Sequence, residues 1–447
     1  MNYRLSMTTV FLSSVGMIGL LTTSLVSAQE HATASIAAVA GQQGGQDITG
    51  PYDVVADWPK DISELPGHEE WTWGAGQSVF AESPDRVFVL QRGELPQVDR
   101  PERRPIFDVG PSIYFPIGRL PWRDATASSL PSNGGAGSLA EEGLTQWEEN
   151  GGRMGVDARW EHCIVVIDRE GEIIEAWTQW DDMLQRPHFV AISPYDPEKH
   201  VWVVDDHKHV IHKFTNDGTE LVQSIGTYGE LGDDETHFNR PSFMAWMPDG
   251  SFFVADGYNG NRVVKFDKDG NYVLSWGERS DRSRSDTRPN YFHNVHGIAT
   301  HPETNRVFVN DRYNHRVQVF DTDGNFLEQW SFGPAPSDVH LFDISADGYL
   351  WAADRGTNKI LKYDLDGNFL YSWGTWGDFP GGMWGVHGMS VDQEGNFYIA
   401  EVDNGGVQKF SPRPDANPDF LFGQPVRDAW EHFYRYELRF KRINESS

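Results

Sequence analysis

Four of the chain's histidines recur at one position of a repeating pattern, and that recurrence is where chemistry enters. The segments Pro187-His188-Phe189-Val190, Pro241-Ser242-Phe243-Met244, Val295-His296-Gly297-Ile298, Val339-His340-Leu341-Phe342 and Val386-His387-Gly388-Met389 align in one column. Each column residue stands 14 to 17 residues ahead of an acidic residue: Asp205, Asp256, Asp311, Asp354 or Glu401. A lone histidine in an apolar strand reads as a core residue, but four at one register ask for a common centre. His188, His296 and His387 alternate along the repeat. Three imidazoles converging on an axis suit a catalytic Zn²⁺ with a coordination position left for water or substrate. His340 breaks the alternation and stays open as a fourth ligand, a hydrogen-bonding neighbour of a ligand, or a polar channel residue. His200, His207, His209, His212, His301 and His315 fall outside the column and read as surface or structural.

The elements that must position these residues are short strands. Lys265-Phe266-Asp267-Lys268-Asp269-Gly270-Asn271-Tyr272 nearly repeats at Val319–Phe326 and Lys362–Phe369, each time joining two apolar alternating runs through Asp-Gly. That pair tolerates the positive φ of a tight hairpin. The segments lack the further carboxylates of a calcium loop. Anchors Trp177, Ile225, Trp276, Trp330, Trp373 and Phe422 follow at steps of 48, 51, 54, 43 and 49 residues. Six units therefore run from about Glu70 to Gly423, at the period of four-stranded propeller blades. The fold expected is all-β, a six-bladed β-propeller, whose innermost strands line a central channel and turn the column into a ring.

Domain organisation follows. Arg4, the apolar run Val10–Val26 and the small residues ending at Ala28 read as a signal peptide over 1–28, which implies export to a periplasm or medium. Residues 29–50 read as a flexible leader and 51–425 as the propeller. A Pro- and Gly-rich insertion occupies 93–160 in blade 1, and 426–447 forms a tail with a helical stretch from Arg427 to Phe440. No later stretch is apolar enough to span a bilayer. The single cysteine, Cys163, sits in an apolar run and reads as a buried, inert thiol. A net charge of −29 opposes nucleic-acid binding, which wants fields of Lys and Arg.

The column, together with Phe88-Val89-Leu90-Gln91-Arg92-Gly93, Val254-Ala255-Asp256-Gly257-Tyr258-Asn259, Ser275-Trp276-Gly277-Glu278 and Asp311-Arg312, resembles the peptidyl-α-hydroxyglycine α-amidating lyases. These are NHL-type six-bladed propellers, and the resemblance runs from about Tyr52 to Phe410. It implies zinc on His188, His296 and His387, an active-site arginine at Arg92, a tyrosine base at Tyr258, and a substrate-binding arginine at Arg312. It also implies cleavage of a peptidyl-α-hydroxyglycine, or a similar α-hydroxy amide, to an amide and glyoxylate. The family's structural calcium is held by two backbone carbonyls, matching Val79 and Val190, and by an Asp after the third histidine. Gly388 stands there in this chain, and Gly385 replaces a family Met. Two other readings compete. One is a non-catalytic exported propeller that binds a ligand or protein partner. The other, a calcium-dependent lactonase-like hydrolase, requires channel carboxylates where this column offers His and Ser.

Overall fold

In the computed structural model, residues 48–97, 159–281, 286–333 and 336–425 are described. The signal peptide, nearly all of the leader, most of the blade 1 insertion and the C-terminal tail lie outside them. The described residues form six four-stranded antiparallel sheets around an axis. Their innermost strands are Gly76–Ser83, Pro187–Ile192, Pro241–Trp246, Val295–His301, Val339–Ile344 and Val386–Val391. The last of these packs against the first, so the ring is closed. Among the described residues no helix is long and apolar enough to cross a membrane.

The anchors seen in the sequence pack between blades. The anchor that follows or ends each outer strand packs against the third-strand aromatic of the next blade. Trp177 lies 5.8 Å from Phe214, Trp276 5.5 Å from Phe320, Trp330 5.4 Å from Tyr363 and Trp373 5.6 Å from Phe410. Each pair adds about 1 kcal/mol beyond the burial of its rings. The Asp-Gly segments are hairpin turns, as expected: Asp267, Asp321 and Asp364 each accept backbone N–H groups two and four residues on. Cys163 is fully buried, which raises its thiol pKa well above the ordinary value.

Blade 6 departs from the expected outer strand, not from the count of six. Its outer strand is not the segment ending at Phe422 but the N-terminal Tyr52–Val54, paired antiparallel with Val407–Pro412. Phe422 instead stacks on Trp351 and Phe397 at 5.0 and 5.2 Å, and its N–H donates to the Tyr52 hydroxyl. Closing the ring with the chain's beginning lets the last blade bury an edge that would otherwise stay unpaired.

The acidic series has a structural task. The side chain ending the second strand of each blade accepts an N–H from the segment that leads into the innermost strand. The pairs are Gln91–Gly74, Asp205–Gln185, Asp256–Asn239, Asp311–His293, Asp354–Asp338 and Glu401–Trp384. These bonds fix the approach to each column residue. Burial raises the Glu401 carboxyl from 4.5 to about 7. The folded state therefore holds a proton that the unfolded state releases between about pH 4.5 and 7, and stability falls as pH rises through that window. Glu401→Gln keeps an acceptor without the titration. Its stability relative to wild type is expected to improve by about 1.4 kcal/mol per pH unit across the window, measured by urea unfolding at each pH.

Candidate metal centre

On every innermost strand the pairing register shifts at the column residue: Gln77, His188, Ser242, His296, His340 or His387. A bulge of this kind frees one residue from the ladder and re-aims its side chain. Gln77 completes the ring from blade 1. It escaped the sequence alignment because no Pro or Val precedes it.

The three alternating histidines are held in the same way. His188 Nδ1 donates to the Ser242 carbonyl (3.1 Å), His296 Nδ1 to that of His340 (2.6 Å) and His387 Nδ1 to that of Gln77 (2.8 Å). In each case the acceptor is the column residue of the next blade. Fixing the proton on Nδ1 leaves Nε2 as the free donor atom, the arrangement that orients imidazole ligands in metal sites. One potential ligand atom from each histidine lies within 4.8 Å of the other two. Burial first, then the other histidines and nearby arginines, hold all three far below the usual imidazole pKa. Three neutral, pre-oriented imidazoles fit a divalent transition metal.

Tyr258 stands over this centre. Its hydroxyl is 3.0 Å from His188 Nε2 and 2.9 Å from His296 Nε2. Gly257 makes this placement feasible, because a Cβ there would lie 1.2 Å from the Val295 carbonyl oxygen. Tyr313, at the equivalent register, packs on His293 instead. Phe243 packs against the histidines, with its ring 5.1 Å from His188 and from His296 and 5.8 Å from His387.

His340 is not a fourth member of this group. Its Nε2 is 3.2 Å from Asp338 Oδ2, and its Nδ1 is buried without a partner among the described residues. Both side-chain atoms of Gln77 are likewise buried and unpartnered.

The rim above Tyr258 carries arginines that the sequence reading did not collect. Arg240 lies 4.4 Å and Arg186 5.7 Å from the Tyr258 ring centroid. Arg240 pairs with Asp206, and Arg186 lies 3.7 Å from the same carboxylate and 3.3 Å from His207, which therefore belongs to the rim. Burial would raise the Asp206 carboxyl, but these cations hold it at about 2. Arg312 forms a two-pronged bridge to Asp338 at 3.1 Å, and Arg355 pairs with Asp403. Arg92 differs from the rest. It is 3% exposed and makes no ion pair among the described residues, its Nε lacks a hydrogen-bond partner there as those of Arg186 and Arg240 do, and burial with Arg186 lowers its pKa to about 9. A signal for this rim was present, because Arg92, Arg312 and Arg355 each follow the residue ending a second strand, while Arg186 and Arg240 each precede an innermost strand. Five arginines over three aspartates make the mouth cationic in a chain of net charge −29, so it favours an anionic ligand.

Calcium does not fit its expected place. Val79 and Val190 lie on the innermost strands of blades 1 and 2, and Ser78 Oγ lies 3.4 Å from the Val190 carbonyl. A Cβ on Gly388 would stand 2.8 Å from Ser78 Cα and 3.0 Å from Val79 N, so blade 1 backbone fills the space a carboxylate there would need. The lactonase-like reading also loses its premise, since the ring of column residues contains no Asp or Glu.

A family model described as a 6-bladed beta-propeller matches residues 288–375. The chain is 34% identical over 168 residues to the Mus musculus peptidyl-glycine alpha-amidating monooxygenase, a match covering 36% of this chain and 16% of that protein. It is 32% identical over 157 residues to a Caenorhabditis elegans protein named probable peptidyl-alpha-hydroxyglycine alpha-amidating lyase, covering 35% of this chain and 42% of that one. It is 31% identical over 176 residues to the Mus musculus NHL repeat-containing protein 3, covering 37% and 48%. The chain thus spans less than half the length of each of these curated relatives.

Proposed function

The chain belongs to the NHL-repeat six-bladed β-propellers related to the amidating lyases, and on that premise we propose that it is a zinc-dependent lyase acting on a peptidyl-α-hydroxyglycine or a similar α-hydroxy amide. The observation that carries this reading is the Tyr258 hydroxyl poised at two of the three histidine Nε2 atoms, under a cationic mouth. His188, His296 and His387 would hold the zinc. A zinc ion bound there supplies Lewis acidity, polarising a substrate oxygen.

The remaining work falls to the chain's own groups. Arg92, which makes no ion pair among the described residues, takes the substrate carboxylate in its planar fork. Arg312, already occupied by Asp338, adds positive potential rather than a free fork. Tyr258 removes the proton of the α-hydroxyl and returns it to the departing amide nitrogen as the C–N bond breaks. The carbinol carbon becomes the aldehyde of glyoxylate, and the peptide leaves as its amide. The cationic mouth favours approach of an anionic substrate from the arginine side. The signal segment implies that this chemistry takes place outside the cytosol.

Glyoxylate release from a synthetic acyl-α-hydroxyglycine by the zinc-loaded protein tests the reading. Tyr258→Phe is expected to lower kcat by about 10²–10⁴-fold, the usual worth of a general base, with zinc content unchanged. Zinc-loaded wild type releasing no glyoxylate would favour the second reading, a propeller that binds an anionic ligand without chemistry.

A further inference from the structure

Outside the channel, blade 1 carries a second cluster of histidines that the sequence reading passed over. His68, Glu94 and His162 are buried, and Glu94 is wholly so. One carboxylate serves both rings: Glu94 Oε2 is 2.8 Å from His68 Nδ1, and Oε1 is 2.5 Å from His162 Nδ1. The rings lie 4.8 Å apart, and a potential ligand atom from each of His68, Glu161 and His162 falls within 4.8 Å of the other two.

We propose that His68, His162 and Glu161 form a second metal site, for zinc or a similar divalent transition metal, with Glu94 as the residue that orients both imidazoles. A carboxylate accepting Nδ1–H from a histidine commits Nε2 to ligation, and here one buried carboxylate commits two. Two imidazoles and a carboxylate suit zinc rather than calcium or magnesium, which prefer all-oxygen sites. In the bare cluster Arg159 occupies Glu161 at 2.7 Å, and metal binding draws that carboxylate from it.

The location gives the site its use. His68 precedes the first strand of blade 1, Glu94 follows the second, and His162 leads into the third. Glu94 and Arg159 pair through their backbones at 2.8 and 2.9 Å, directly beside the cluster. A metal here ties the segment carrying His68 to the one carrying Glu161 and His162, while Glu94 holds both rings in place. In a chain with one cysteine this clip does what a disulfide cannot.

The test is zinc content after loading and removal of excess metal. Wild type is expected to hold two equivalents, and His68→Gln one. His188→Ala/His296→Ala, which lacks two central ligands, is expected to keep one, and adding His68→Gln to that pair to leave none. In the pair variant, cobalt(II) should give a visible d–d spectrum that His68→Gln abolishes. A pair variant holding no metal overturns the proposal, as does a wild-type stoichiometry unchanged by His68→Gln. A pair variant matching wild type at one equivalent would instead remove the central zinc and leave this site standing. Should the pair variant fail to fold, the single His68→Gln stoichiometry decides.

Discussion

Replacing His296 by alanine is expected to abolish zinc binding at the channel centre and to lower kcat/KM for glyoxylate release by about 10³-fold or more. The size follows from the several kcal/mol that Lewis-acid polarisation of a substrate oxygen is worth, since about 4 kcal/mol corresponds to 10³ in rate. His296 contributes one of only three ligand atoms, and no carboxylate in the column ring can take its place. The fold should survive. The His340 carbonyl that accepts from His296 Nδ1 keeps a bond from Asn310 Nδ2 at 3.1 Å, so no buried acceptor is orphaned. Metal analysis, steady-state kinetics and thermal unfolding of one preparation check this. A thermal midpoint close to wild type beside lost zinc and lost activity is the expected combination. Retained activity at full rate without zinc would sink the metal's role.

Arg92→Met should separate binding from stability in opposite directions. The wild-type guanidinium is buried with its Nε unpartnered among the described residues, and its neighbours Arg186 and Arg240 repel it. Asp206 offsets this only in part, so keeping the buried charge costs stability, and an apolar side chain of similar length is expected to raise the thermal midpoint. The same change removes the one arginine of the mouth that makes no ion pair among the described residues. The loss of a buried charge pair with the substrate carboxylate, about 2–4 kcal/mol, should appear as a 30- to 1,000-fold rise in KM with a smaller change in kcat. Arg92→Lys should recover little of it, because a point charge cannot match a carboxylate bidentately. If Arg92 served only the fold, Arg92→Met would instead lower the midpoint and leave KM alone.

The contrast between Arg92 and Arg312 shows where sequence reading stops. Both follow the end of a second strand, so the repeat makes them equivalent. Only the fold brings Asp338 up to Arg312 and, among the described residues, no carboxylate within ion-pair distance of Arg92, because the residue leading into each innermost strand differs from blade to blade. Tyr258 and Tyr313 divide in the same way. One reaches the histidines and the other packs on His293, although their registers match.

By itself the sequence determined the blade count, the hairpin turns, the inner-strand column and the alternate histidines. These depend on period and residue type, which a chain displays in one dimension. Tertiary structure decided the rest. It supplied the N-terminal strand that completes blade 6, Gln77 as the sixth column residue, the neighbour-blade carbonyls that turn each Nε2 to the axis, and the pairing that sets His340 apart with Asp338. Each is a contact between residues far apart in the chain, fixed by ring closure and blade packing. A repeat can say which residues are equivalent, but not which of them finds a partner.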